Sequence, residues 1–413
     1  MRLRKNPIYD QEQPQPIIEV EQKPGKRRVI LLIICLSVAA VALGYWIHNL
    51  VTVEPGWYTI SVETTDPNCG NEFAFQYKVG GNAKEEKKAV TKAYTQAAKE
   101  AYDLLTWDVE EPFEGGIRYL SDRPNQAVTI DSRLYNALAL AKDSRLLFMG
   151  PVTAEYSRMF QYDEEQMAAQ CDPGQNPEVM AYVAELITFV GSQEHIRLEL
   201  LGNDRVTLHI SQAYLDFARE YGVENFLDLG WMRNAFAADL MADALKEKGY
   251  TQGYLVSYDG YGRYLEGETT EYTLSLYDRF EYTVDRPASF SVKGAVNTAI
   301  FRNYPLTEGD MWHYFSFGTT GTIASVYADP ADGVCKSATD NLVCYSQRAS
   351  CAEMVLTCAP LFLTEELNES ALVNMAANGV YTIWAEGKEL RYTDSTLTLT
   401  IAEGNGYTKK HMQ

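Results

Sequence analysis

The chain has 413 residues and a formal net charge of −20, with nearly half of its residues hydrophobic. That length and composition fit one large folded domain or two ordinary ones. The acidity argues against a broad nucleic-acid surface, which needs clustered Lys and Arg, so no nucleic-acid partner is expected.

The charge is uneven. Residues 1–28 hold Arg2, Arg4, Lys5, Lys23, Lys26, Arg27 and Arg28 against Asp10, Glu12, Glu19 and Glu21. This head also contains Pro7, Pro14, Pro16 and Pro24. It is too short and polar to bury a core and is expected to be a disordered tail.

From Val29 to Ile47 the chain reads VILLIICLSVAAVALGYWI, without a charged residue. As a helix this run spans about 28 Å, close to a hydrocarbon core. Lys26, Arg27 and Arg28 precede it, and Tyr45 and Trp46 stand at its far end, as interfacial rings do. The expectation is one membrane span over residues 29–51. Residues 1–28 are then cytoplasmic, and 52–413 form a domain outside the cell membrane. A cleaved signal peptide would carry a shorter apolar run ending in small residues, whereas Trp46, Ile47 and His48 are bulky.

Beyond the span the elements alternate irregularly. Residues 57–63 and 73–79 read as strands, and 83–105 as an Ala- and Lys-rich helix. Asp131 and Ser132 cap a helix, 177–190 is helical, and 196–201 pairs with 205–210 across Gly202-Asn203-Asp204. Residues 232–248 form an amphipathic helix stopped by Gly249, followed by a strand at 254–258. The stretch 271–299 is strand-rich, 350–363 is helical, and strands at 380–385 and 396–401 close the chain. Without a steady strand–helix–strand rhythm, the class is α+β.

Six cysteines, at 69, 171, 335, 344, 351 and 358, fall outside the membrane, where disulfides are permitted. Cys335 and Cys344 bracket a turn-rich loop and are sterically able to bridge. Cys351 and Cys358 lie two helical turns apart, about 10 Å, too far for a bond. No zinc spacing, phosphate loop, nucleophile elbow or dinucleotide fingerprint is present.

One ordered series of features remains. Leu227-Asp228-Leu229-Gly230 leads into the helix with Asp239 and Leu245-Lys246-Glu247-Lys248-Gly249. Then come the turn Tyr258-Asp259-Gly260-Tyr261-Gly262, Thr298, His313 and Thr320-Gly321, and last Ala352-Glu353-Met354-Val355-Leu356-Thr357. Glycine turns and helix starts offer N–H groups to phosphate. Glu353 and Thr357 share a helix face and carry hard oxygens suited to Mg²⁺.

In this order the features resemble the ApbE family, the FAD:protein FMN transferases, over roughly residues 56–400. Residues 227–249 are similar to that family's DLGGIAKGYAVD stretch and the helix after it. Met149-Gly150-Pro151 is similar to its V-G-P-L turn. Thr298, His313, and Glu353 with Thr357 fall on its A-T-S-G, H-I-x-D-P-x-T-G and A-D-A-L-x-T segments. The resemblance implies a single ApbE-like ectodomain that moves FMN from FAD to a Ser or Thr of an acceptor protein, with FAD and Mg²⁺ as cofactors. It implies His313 and Thr298 as catalytic, and Asp228, Gly230, Asp239, Gly260 and Gly321 as cofactor-binding. It implies Glu353 and Thr357 as metal ligands.

The departures are as specific. Asn234 stands where the family has Lys, and Ala235 where it has Gly. Asp259 and Tyr261 replace a Gly and an Asp of its Gly-Gly-Asp turn. Ala299-Ile300 replaces Ser-Gly, Ser316-Phe317 replaces Asp-Pro, and Glu353 replaces Asp. The alternative is therefore a non-catalytic ApbE-like module that binds flavin or another protein at the cell surface. A third reading is a surface protein that shares only the fold.

Overall fold

The structure, a computed structural model, describes residues 53–265, 270–280, 283–306 and 312–413. The expected tail and membrane span at 1–51 lie outside them. Among the described residues no helix is long and apolar enough to cross a membrane. Pro55–Gln413 forms one compact unit.

Its centre is a nine-stranded sheet. In spatial order the strands are Gly56–Ile60, Phe73–Val79, Gly253–Ser257, Tyr261–Tyr264, Val296–Arg302, Asn341–Ser346, Val380–Glu386, Glu389–Tyr392 and Thr408–His411. Every neighbouring pair is antiparallel except the last, which is parallel. Alternation along Val296–Arg302 sorts side chains to opposite faces. Phe301 meets Phe362 of the Cys351–Phe362 helix at a ring separation of 5.6 Å. Val296 and Ile300 join the opposite cluster, with Phe290, Val343, Tyr345 and Leu399. That cluster is roofed by a three-stranded sheet of Glu271–Phe280, Thr283–Lys293 and Thr398–Ile401. With helices on one face and strands on the other, Asn341–Ser346 is buried at every position.

The Ala83–Leu105 and Arg233–Glu247 helices pack together. Ala93, Ala97, Ala98 and Ala101 face inward on the first, and Ala235, Ala237, Ala238 and Ala242 on the second. Small side chains allow close backbone approach; a larger residue there would overpack the seam. A third sheet, of Ala127–Thr129, Arg205–Ile210 and Ile196–Gly202, sits with the Ser132–Ala141, Pro177–Val190 and Gln212–Tyr221 helices in the segment between the two long helices.

The expected elements are present with small boundary shifts. The first strand ends at Ile60, and the strand expected at 396–401 starts at Thr398. The hairpin of Tyr314–Phe317 with Thr322–Ser325 and the final Thr408–His411 strand were not expected. All six described cysteines are free thiols, so Cys335 and Cys344 do not bridge. The Cys335 thiol donates to the Ser325 carbonyl at 2.8 Å, and Cys344 lies buried beside Cys358.

Candidate functional site

The Arg233–Glu247 helix begins at the end of a short 3-10 turn, Gly230–Met232. Ahead of that turn Asp228 accepts the Gly230 N–H at 2.9 Å. Gly150, first residue of the Gly150–Ser157 helix, approaches Asp228 so closely that a Cβ would sit 2.7 Å from the Asp228 Cβ. A side chain there would push the two segments apart. Burial raises the Asp228 carboxyl above its ordinary pKa, opposed by the Gly230 N–H and the Arg233 charge.

Opposite lies the strand hairpin that follows Trp312 and His313. Its tip is tied down by Glu165, whose carboxylate accepts the Gly318 N–H at 2.6 Å and the Thr319 N–H at 3.2 Å. Its base is fixed by the Tyr314 hydroxyl, which donates to the Arg302 carbonyl at 3.0 Å. Trp312 is 73% exposed and overhangs the opening.

Between these walls lie two adjoining cavities that share Arg233, Trp312 and His313. The larger, about 880 Å³, is lined by Asp108, Asp228 and Gly230, with aromatic walls from Trp107, Phe160 and Trp231. The smaller, about 430 Å³, is lined by Glu72, Asn234, Tyr258 and Asp259. Arg233 is paired with Glu72, and donates to the Thr106 hydroxyl at 3.4 Å. Asn234 donates to Asp259 Oδ2 at 3.0 Å. Burial pushes the Asp259 carboxyl up to about 6, against the pull of Ser257, Asn234 and Arg233.

The structure thus gathers Asp228, Gly230 and His313 from the expected set. Gly260 is the turn residue after Asp259, with φ +111° and no room for a Cβ, which would fall 2.6 Å from the Ile300 carbonyl oxygen. Thr298 is buried in its strand on the face of Val296 and Ile300. Gly321 closes the turn of the 314–325 hairpin. None of these three lines either cavity.

Asp239 meets the start of the Cys351–Phe362 helix. Its carboxylate accepts the Cys351 N–H at 3.1 Å and the Ala352 N–H at 2.9 Å, and is ion-paired with the buried Arg263. Glu353 accepts the Ser350 N–H at 2.7 Å while the Ser350 hydroxyl accepts the Glu353 N–H at 3.2 Å, a reciprocal capping box. Four successive N–H groups of this helix start, 350–353, are therefore satisfied by the chain itself. Thr357 donates to the Glu353 carbonyl at 2.6 Å. Glu353 and Thr357 line a separate cavity with Arg348 and Met375.

Magnesium does not fit this arrangement. The Glu353 carboxylate is engaged as a cap, and the Thr357 hydroxyl points its proton at backbone. Among the described residues no group of three His, Cys, Asp or Glu side chains comes together to hold a metal.

Solved structures with a similar fold are known. The ApbE protein of Thermotoga maritima superposes with a TM-score of 0.54, at 13% identity, over 79% of this chain and 94% of that one. The flavin transferase ApbE of Vibrio cholerae superposes with a TM-score of 0.50, at 12% identity, over 85% and 98%. The fold is ApbE-like. No protein-family model matches the sequence, and no curated protein does. The similarity shows the fold and matches no individual residue such as Asp228, His313 or Glu353. At this identity it leaves their roles to the local chemistry.

Sequence reasoning did not find Glu72, Trp107, Asp108, Phe160 or Trp312 as cleft residues. They come from four separate turns and loops, Trp107 and Asp108 sharing one, and no repeating spacing links the four. Trp312 carried a faint signal, a large aromatic beside the singled-out His313.

Proposed function

We propose that this protein is a membrane-anchored, extracytoplasmic ApbE-like binding module that holds a planar aromatic ligand of the flavin type without transferring FMN. The observation that carries the reading is the shortage of cationic charge in the cleft. Away from the cleft, the N–H groups of the helix start at 350–353 are also engaged, by Asp239, by Glu353 and by the Ser350 hydroxyl. Phosphoryl transfer depends on positioning and on neutralising phosphate charge. Across the two cavities stand Glu72, Asp108, Asp228 and Asp259 against Arg233, whose own charge is paired with Glu72. Removing a cation beside a diphosphate typically costs about a hundredfold or more in rate. The aromatic walls supply stacking surface for a ring system.

His313 and Arg233 are the groups placed to orient such a ligand, with Asp228 at the far wall. Retained transfer, with Arg233 substituting for the absent Lys, is the rival reading, favoured by the position of Arg233 on both cavities. The test is covalent flavin on an acceptor peptide, with FAD and Mg²⁺ present, for the wild type and for Arg233→Ala. We expect reversible flavin binding and no covalent label. Labelling by wild type that is lost in Arg233→Ala sinks the binding-module reading.

The anchor rests on the charge-free run behind Lys26, Arg27 and Arg28. Protease added to intact cells should remove a C-terminal epitope and spare an N-terminal tag. Protection of the C-terminus defeats this topology.

A further inference from the structure

We propose that Cys344 and Cys358 join in a disulfide when the chain folds under oxidising conditions, a covalent tie between the central sheet and the helix packed on it. Val343 and Tyr345 belong to the cluster under the three-stranded roof. Strand alternation therefore turns Cys344, which lies between them, to the opposite, helix-covered face. Its partner across the strand pair is Ala299, whose single methyl leaves space beside it. The Cys351–Phe362 helix crosses this spot. At its start the Cys351 thiol donates to the Thr298 carbonyl at 3.5 Å, and at its end the Phe362 ring meets Phe301. Cys358 stands two turns after Cys351 and one turn before Phe362, so all three share the helix face that meets the sheet.

The other partnered thiols are spoken for by backbone. Cys335 donates to the Ser325 carbonyl, and Cys351 to those of Gly262 and Thr298. Cys344 and Cys358 are both fully buried, and each has the other's thiol beside it. The structure holds this pair as thiols, the reduced form.

Burial, and then the neighbouring Cys358 thiol, push the Cys344 thiol well above its ordinary pKa, which makes it a poor nucleophile once folded. Oxidation therefore belongs to the folding chain, before the helix seats. One cysteine thiolate attacks a sulfur of a small disulfide such as oxidised glutathione and expels one thiol. The second thiolate then attacks the mixed disulfide and expels the other. Two protein thiols and one small disulfide become one protein disulfide and two small thiols, which carry away both protons. The same burial then shields the bond from reductant.

The pairing rests on the fold and is independent of the flavin reading. Only its occurrence in the cell depends on the domain lying outside the membrane, where disulfides persist.

Full-length protein in detergent is unfolded, reduced and refolded over a mixed oxidised and reduced glutathione buffer, or over reduced glutathione alone, then alkylated and mapped by mass. The mixed buffer should yield protein lighter by two hydrogens and a crosslinked peptide joining Cys344 to Cys358. That protein should unfold at a higher midpoint than the reduced form, and the difference should vanish in Cys358→Ala. If this variant does not fold, the wild-type peptide map decides alone. Alkylation of both cysteines after oxidative refolding overturns the proposal, as does a bond from either of them to Cys351 or Cys335.

Discussion

At the scale of single residues, Asp259 is the most informative position. Its carboxyl is buried, and its folded pKa of about 6 lies above the ordinary 3.8. The folded state therefore holds this proton more tightly than the unfolded chain. Stability is highest below the ordinary pKa, declines as pH rises through the interval to about 6, and stays reduced above it. A shift of this size corresponds to roughly 3 kcal/mol at most. Asp278, also near 6 and also raised chiefly by burial, contributes in the same window. Asp259→Asn should raise the unfolding midpoint at pH 7.5 and flatten the pH dependence of stability between about pH 4 and 6. Urea melts across that range check it, and a midpoint lowered at pH 7.5 would contradict the buried-charge account. In the sequence, Asp259 reads only as a residue standing where the family's turn has a Gly. Its partner Asn234 stands 25 positions away on another element, a distance no periodic pattern bridges. The two departures from the family at 234 and 259 are one contact in space.

At the scale of elements, the start of the Cys351–Phe362 helix is built from three places in the chain. Asp239 on the Arg233–Glu247 helix supplies the anion, Arg263 on the Tyr261–Tyr264 strand neutralises it, and Ser350 with Glu353 closes the cap. The Cys351 thiol adds hydrogen bonds to the carbonyls of Gly262, at 3.3 Å, and Thr298, at 3.5 Å. Removing one partner of a buried ion pair leaves the other uncompensated. Asp243, 2.9 Å from Arg263, softens that penalty. Asp239→Ala should destabilise by about 2–4 kcal/mol, read as a lower denaturant midpoint. A change under about 0.5 kcal/mol would show that the junction is not structural.

The long elements were legible because their signals repeat. Ala83–Leu105 carries an inward Ala stripe, and Pro177–Val190 has Asn176 capping the Glu178 N–H with Pro at the first helical position. The short Ile117–Ser121 helix and the Thr408–His411 strand were not, since four or five residues give only one or two repeats of a period, too few to stand out from the chain around them. Glu353 and Thr357 were correctly placed on one helix face. The sequence could not show that the Glu353 side chain turns back to its own helix start.

At the scale of the whole molecule, an ApbE-like fold carries the cleft, and the proposed function takes its lining to suit a ring system rather than a diphosphate. Stacking surface is present in Trp107, Phe160, Trp231 and Trp312. Among the described residues that line the cleft, Arg233 is the one Lys or Arg, and it is already paired with Glu72. The central claim is that this cleft binds without transferring. FMN transfer from FAD to a hydroxyl would form one phosphoester bond and release one AMP, so AMP reports the reaction even if the acceptor is poorly chosen. The decisive measurement incubates full-length protein with FAD, Mg²⁺ and a Ser/Thr acceptor peptide, then quantifies AMP and intact FAD after denaturation. The account predicts that bound FAD is recovered whole, with no AMP above the protein-free control. Stoichiometric AMP, matched by covalent FMN on the peptide, would contradict it.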